Sequence, residues 1–148
     1  MKSLKSLGVV VAVLLASMQV EASSTVVFKC DLEDGNSVMV EHETLNNEFT
    51  LTYGLNLDAP KITIRKQANN LGTSLQASHA EGSINRELYV TDGDYFYDVG
   101  YTDQRGIKKG YFQIMIGGAE RSYGMCKRET LYSTFDDYEL FSDMTEVD

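Results

Sequence analysis

Tryptophan is absent from this 148-residue sequence, proline occurs once, histidine and cysteine twice each, and 22 acidic residues face only 13 basic ones. Each shortage excludes something. A formal net charge of −9 has the wrong sign for gripping a phosphate backbone or an anionic lipid surface. The two histidines, His42 and His79, stand in no spacing that would assemble the three or four ligands zinc requires. No serine occupies a Gly-x-Ser-x-Gly turn, which removes the usual signature of an activated serine nucleophile. No segment after residue 22 sustains a helical period, and the one long apolar run, Leu7 to Ala16, is about half of what a membrane span needs.

What is present begins with that run. Lys2 and Lys5 precede it, and Val20-Glu21-Ala22 follows it as a small-residue cleavage site. Residues 1–22 therefore read as a secretory signal peptide, with an uncleaved anchor as the alternative. Cys30 follows Val-Phe-Lys rather than small residues, so lipid anchoring is not expected. Removal of two lysines and one glutamate takes the net charge from −9 to −10. The expected location is periplasmic or secreted, and in such a compartment Cys30 and Cys126 are expected to form one disulfide rather than two free thiols. Their closure would fasten the two ends of the folded part together.

From Thr25 onward the chain alternates, as half-buried strands do. Val26, Phe28 and Cys30 fall on one face of the first strand, Val38, Val40 and His42 on one face of the second, and Phe49, Leu51 and Tyr53 on one face of the third. Pro60 stands before Ile62 and Ile64, a strand start that proline tolerates. Residues 67–85 read as loop around a weak edge strand near Thr73 to Ser78. Arg86–Val90 and Tyr95–Tyr101 flank Asp92-Gly93, a strong hairpin signal, and Gly117-Gly118 marks another. Gly100 and Gly124 inside strands suggest bulges or sharp coiling. The expected fold is all-β: a small antiparallel barrel, narrowly preferred to a sandwich, of seven or eight strands over residues 23–128. Residues 129–148 form a short acidic and aromatic extension, expected to dock in part as a short helix or turn up to about Ser142.

Chemistry is sparse. His42 reads as an ordinary partly buried histidine and His79 as a loop residue. Asp92-Gly93-Asp94, with Asp98 and Asp103 nearby, lacks the remaining ligands of a calcium loop. A carboxylate pair could hydrolyse glycosides, but nothing singles out two acids among so many. No enzyme, metal or cofactor is expected. The six tyrosines Tyr89, Tyr95, Tyr97, Tyr101, Tyr111 and Tyr123 cluster in the later strands. They suit a partner surface, since a phenol combines apolar area with a polar tip; alternatively half of them fill the core. The candidate partner-binding set is Tyr95, Tyr97, Tyr101, Tyr123, Asp92 and Asp94, facing a cationic protein.

The aromatic-x-Cys unit Phe28-Lys29-Cys30, then Asp34-Gly35, with Cys126 in a late strand, resembles the bacterial periplasmic inhibitors of c-type lysozyme. It equally resembles uncharacterised exported proteins with cysteines near both ends and an Asp-Gly-Asp-Tyr hairpin between. The former resemblance implies a small β-barrel that blocks the lysozyme cleft through a Ser-Gly-x-x-Tyr loop. The nearest stretch here, Glu81-Gly82-Ser83-Ile84-Asn85, has neither that order nor the tyrosine, so no inhibitory loop is carried over. The expectations that follow are an exported binding protein, an inhibitor or immunity protein against a cationic cell-wall hydrolase such as lysozyme. The alternatives are a small-ligand carrier using a barrel interior and an envelope structural or assembly factor.

Overall fold

Alternating strands and tight turns build two sheets. The structure, a computed structural model, describes residues 23–78 and 82–147, without the side chains of 75–78. The signal-peptide reading of residues 1–22 and the loop reading of His79 lie outside the described residues. The first sheet runs in the order β10-β1-β2-β3-β4, from β1 (Ser24–Asp31), β2 (Ser37–Glu43), β3 (Glu48–Gly54), β4 (Ile62–Gln67) and the two-residue β10 (Tyr132–Ser133). The second runs β11-β5-β6-β7-β8-β9, from β5 (Gly72–Ser78), β6 (Ser83–Asp92), β7 (Tyr95–Gln104), β8 (Ile107–Ile116), β9 (Ala119–Met125) and the two-residue β11 (Thr145–Glu146). All pairings are antiparallel except β11 with β5. Among the described residues no helix is long and apolar enough to cross a membrane.

The barrel preference is overturned: the two sheets stay open. At one seam β1 meets the end of β9 only through the bridge Leu32–Cys126 and two flanking backbone bonds, Glu33 N–H to Met125 O (3.0 Å) and Lys127 N–H to Asp31 O (2.7 Å). At the other, β4 and β5 are joined by a 3-10 turn, Ala68–Asn70, with no ladder between them. The strand count of seven or eight also falls short, because β10 and β11 carry no sequence period in two residues each and β5 reads in the sequence only as a weak edge strand. The cysteines do pair, with Cα atoms 5.5 Å apart. Their bond ties β1 of one sheet to the residue after β9 of the other.

Phe28, Val38, Val40 and Leu51 from the first sheet meet Leu88, Val99, Tyr101 and Phe112 from the second in one core. The rings of Tyr53 and Phe112, 4.8 Å apart, span the two layers. In β1 the expected face breaks: Val26 pairs with Glu41 but Phe28 with Val40, leaving Val27 as an extra residue. This bulge turns Val27 inward beside Phe28, and both are buried while Val26 is only partly so. The hairpins follow turn chemistry. Between β6 and β7 the two-residue loop is Gly93-Asp94, with positive φ at Gly93 alone, so glycine takes the first central position of a type II′ turn.

Residues after Arg128 contribute to both sheets. β10 pairs with the outer side of β1. Phe135 is wholly buried, its ring 5.3 Å from Phe28 and 5.2 Å from Phe141. Asp137 accepts from the Glu139 backbone N–H (3.0 Å) and so caps the 3-10 turn Tyr138–Phe141. After three intervening residues, β11 lies alongside β5.

Candidate functional site

The structure disperses the six sequence-selected candidates. Tyr97 and Tyr101 are only 5% and 1% exposed; they point into the core and offer no ring to a partner. Strand β7 carries large residues on both faces, so alternation could not say which face was inner. Tyr97 stacks on Phe112 at 6.4 Å, and the Tyr101 hydroxyl donates to Asp136. Tyr95, Asp92 and Asp94 are exposed at the β6–β7 turn, where Asp92 pairs with Lys66 of β4 at 3.2 Å. Tyr123 is 50% exposed on β9, two strands beyond β7 in the sheet order.

Tyr123 belongs to a different grouping, on the outer face of the second sheet. Register sets two adjacent rows across it. One runs Glu87–Gly100–Tyr111–Met125 and the next runs Tyr89–Asp98–Gln113–Tyr123. The hydroxyls of Tyr89 and Tyr111 both donate to the Glu87 carboxylate. Tyr111 sits two strands from Glu87, about 10 Å across the sheet, and reaches it over Gly100, which has no side chain to intervene. The backbones there are so close that a Cβ on Gly100 would lie 2.3 Å from the Arg86 carbonyl oxygen. Tyr111 and Tyr123 stack at 6.0 Å with ring planes 21° apart, and Tyr89 lies 5.2 Å from Phe96.

Among these rings lies Asp98, 7% exposed, whose Oδ1 meets no donor among the described residues. Burial first, then the neighbouring Glu87 charge, raises its pKa from 3.8 to about 7. Burial raises the phenols of Tyr89 and Tyr111 as well, with the two carboxylates adding to it. Sequence reasoning missed Glu87 and Asp98 as a pair. The available signal was a carboxylate in mid-strand rather than in a turn: Asp98 stands between aromatics in Tyr95-Phe-Tyr-Asp-Val-Gly-Tyr101, and Glu87 one residue before Leu88.

No protein-family model, no curated protein and no solved structure matches this chain. The chemistry is therefore read from the site alone. Among the described residues no group of three or more histidine, cysteine or acidic side chains could hold a metal ion. His42 stacks on Phe49 at 4.4 Å with Nε2 2.8 Å from Asn47 Oδ1, an arrangement that needs no ligand.

A second feature lies where the C-terminal residues cross the β5–β6 edge: a cavity of about 370 Å³ lined by Arg86, Glu87, Tyr138, Phe141 and Met144, among others. Arg86 donates to the Tyr138 hydroxyl at 3.0 Å with its guanidinium 4.6 Å from that ring's centre, and its Nε lies 3.4 Å from Asp136. Lys108 holds the other Asp136 oxygen at 2.6 Å. Hydrogen bonds from Lys108 and Tyr101 keep the Asp136 carboxyl below its usual range. These cations are engaged in holding the C-terminal residues down.

Asp98 yields a pH-dependent expectation. A carboxyl with its folded pKa above its unfolded one binds its proton more tightly in the native state. Stability from this group therefore falls as pH climbs from about 4 to about 7, and is flat above. A rise of that size corresponds to a ceiling of about 4 kcal/mol, and relaxation around the charge reduces it to an order of 2 kcal/mol. Asp98→Asn should raise stability by that amount at pH 8, and the gain should shrink steadily toward pH 4. Urea titrations followed by tyrosine emission at pH 4.5, 6 and 8 measure it; a gain independent of pH would refute the assignment.

Proposed function

We propose that this is an exported binding protein that captures a cationic protein, acting as an inhibitor or immunity protein against a cell-wall hydrolase such as lysozyme. The observation that carries the reading is the outer face of the second sheet. Two carboxylates, Glu87 and Asp98, stand there among tyrosines, and none of the ion pairs among the described residues includes either. Buried or half-buried acid without counter-charge is destabilising on its own, and a positive partner offsets it. The net charge of −9 adds long-range attraction, which speeds encounter with cationic proteins. Export to the periplasm or beyond rests on the reading of residues 1–22 and accords with the disulfide, since oxidising compartments preserve such bonds. The resemblance in Phe28-Lys29-Cys30 and Cys126 points the same way.

Calorimetric titration against c-type lysozyme tests the proposal. Expected is binding at about 20 mM salt that weakens roughly tenfold or more by about 300 mM, as screening shortens the electrostatic reach, together with slower lysis of a cell-wall suspension. Failure to bind lysozyme or other cationic wall hydrolases at low salt would end the inhibitor reading. A carrier using a barrel interior is not supported, since Phe28, Leu51, Val99 and Phe112 fill the space between the sheets. What favours a carrier in another form is the cavity of about 370 Å³ beside Arg86 and Tyr138. A co-purified small molecule in the native mass spectrum would favour it.

A further inference from the structure

Resting on the binding-protein reading, a finer statement about the partner comes from the geometry of the outer face. We infer that the niche formed by Glu87, Asp98, Tyr111 and Tyr123 receives an arginine side chain of the cationic partner, its guanidinium donating to the two carboxylates while lying against the Tyr123 ring. Three independent observations converge on it.

The first is unused acceptor capacity. Asp98 is more than nine-tenths buried, and its Oδ1 has no donor among the described residues. Buried polar groups are nearly always bonded, so this carboxylate oxygen keeps the capacity to accept from a donor that a partner brings. The register sets Asp98 among tyrosines: it pairs with Tyr89 on one side and, through Gln113, leads to Tyr123 on the other, while Glu87 and Tyr111 flank Gly100 in the adjacent row.

The second is uncompensated charge. Lys66 is paired with Asp92, and Arg86 and Lys108 with Asp136; no ion pair among the described residues reaches Glu87 or Asp98. Among the described residues Glu87 accepts only from neutral phenols, which a charged donor would outcompete.

The third is shape. Tyr123 is half exposed and stacked on Tyr111, which presents a flat aromatic surface in the same row of the sheet as Asp98. A guanidinium is planar, carries five donors in a fixed fork and stacks on such a surface, whereas an ammonium is a point charge with stronger hydration. A metal ion is the poorer fit, since only two carboxylates converge and hard cations take six or more oxygens.

The test uses isotope-labelled protein with its disulfide intact. Nα-acetyl-arginine amide is titrated in, with the corresponding lysine and citrulline amides as controls, and backbone amide shifts are followed. The arginine probe should shift Glu87, Asp98, Gly100, Tyr111 and Tyr123 saturably, about fivefold or more tightly than the lysine probe, with citrulline inert because it lacks charge. Glu87→Gln combined with Asp98→Asn should weaken the arginine response roughly tenfold or more by removing both charge-assisted acceptors. Tyr123→Leu, a change at a half-exposed position that leaves the carboxylates in place, should weaken it by a smaller factor. Equal responses to arginine and citrulline, equal responses to arginine and lysine, or an unaltered response in the double variant would overturn the inference. Lysozyme binding separates the two levels. If the double variant binds lysozyme as tightly as the parent, the niche is wrong and the inhibitor reading stands. If the arginine probe titrates as expected but no cationic hydrolase binds, the inhibitor reading falls and the niche remains.

Discussion

Loss of the Cys30–Cys126 bond should lower stability by about 4 kcal/mol, the figure for closing a loop of this length in the unfolded chain. The cysteines are 96 positions apart in sequence, so the cross-link restricts most of the described chain. It also stands at a weak point of the fold. The first sheet meets β9 through a single bridge at Leu32–Cys126, and backbone pairing there is too short to hold the sheets in register alone. The sulfur is packed as well: a Cβ on Gly110 would lie 2.7 Å from Cys126 Sγ, so this part of β8 runs hard against the disulfide. The Cys30→Ala, Cys126→Ala variant leaves a small void that adds to the loss, and the reduced parent protein, which keeps its volume, separates the two contributions. Urea titration read by tyrosine emission suits a chain without tryptophan. The denaturant slope should rise together with the loss of stability, because the uncrosslinked unfolded chain exposes more surface. A loss below about 1 kcal/mol would mean that the seam holds without its covalent link.

Phe135→Ala should destabilise by about 3–5 kcal/mol, the range for emptying a fully buried aromatic site. Among the described residues after Arg128, Phe135 is the one wholly buried side chain. It is fixed between Phe28 of β1 and Phe141 of the following 3-10 turn. Asp136 comes next, held by Tyr101, Lys108 and Arg86, so Phe135 anchors a segment that also carries the polar links to the second sheet. Hydrogen exchange should show protection lost first at Phe28 and Thr134, whose neighbourhood includes the bond from Thr134 N–H to Val27 O (2.9 Å). Should the variant lose less than about 1 kcal/mol, the C-terminal residues are an appendage rather than part of the core.

Much of the secondary structure was legible because strand alternation and turn chemistry are local. Phe49, Leu51 and Tyr53 share the inner face of β3 as their spacing indicates, and Asp92-Gly93 and Gly117-Gly118 do sit at hairpin turns. The C-terminal contribution was legible only as apolar content: Phe135 lies among acids, and nothing near it in sequence says that Phe28, more than a hundred positions earlier, completes its pocket. The candidate site was the least legible part. Glu87 and Asp98 come together because β6 and β7 pair in one register and not another, and a one-residue slip would send them to opposite faces.

The amino-acid order by itself determined the all-β character, the positions of the tight turns and the identity of the only possible disulfide, because each depends on neighbours a few residues apart or on there being just two thiols. Tertiary structure alone decided that the sheets remain open, that Tyr97 and Tyr101 fill the core while Tyr123 faces outward, and that Glu87 and Asp98 meet among tyrosines on one face of the second sheet. Those outcomes depend on which strand edges meet and which face finds the other sheet. Burial of apolar area across the whole chain settles that choice, and no short stretch encodes it.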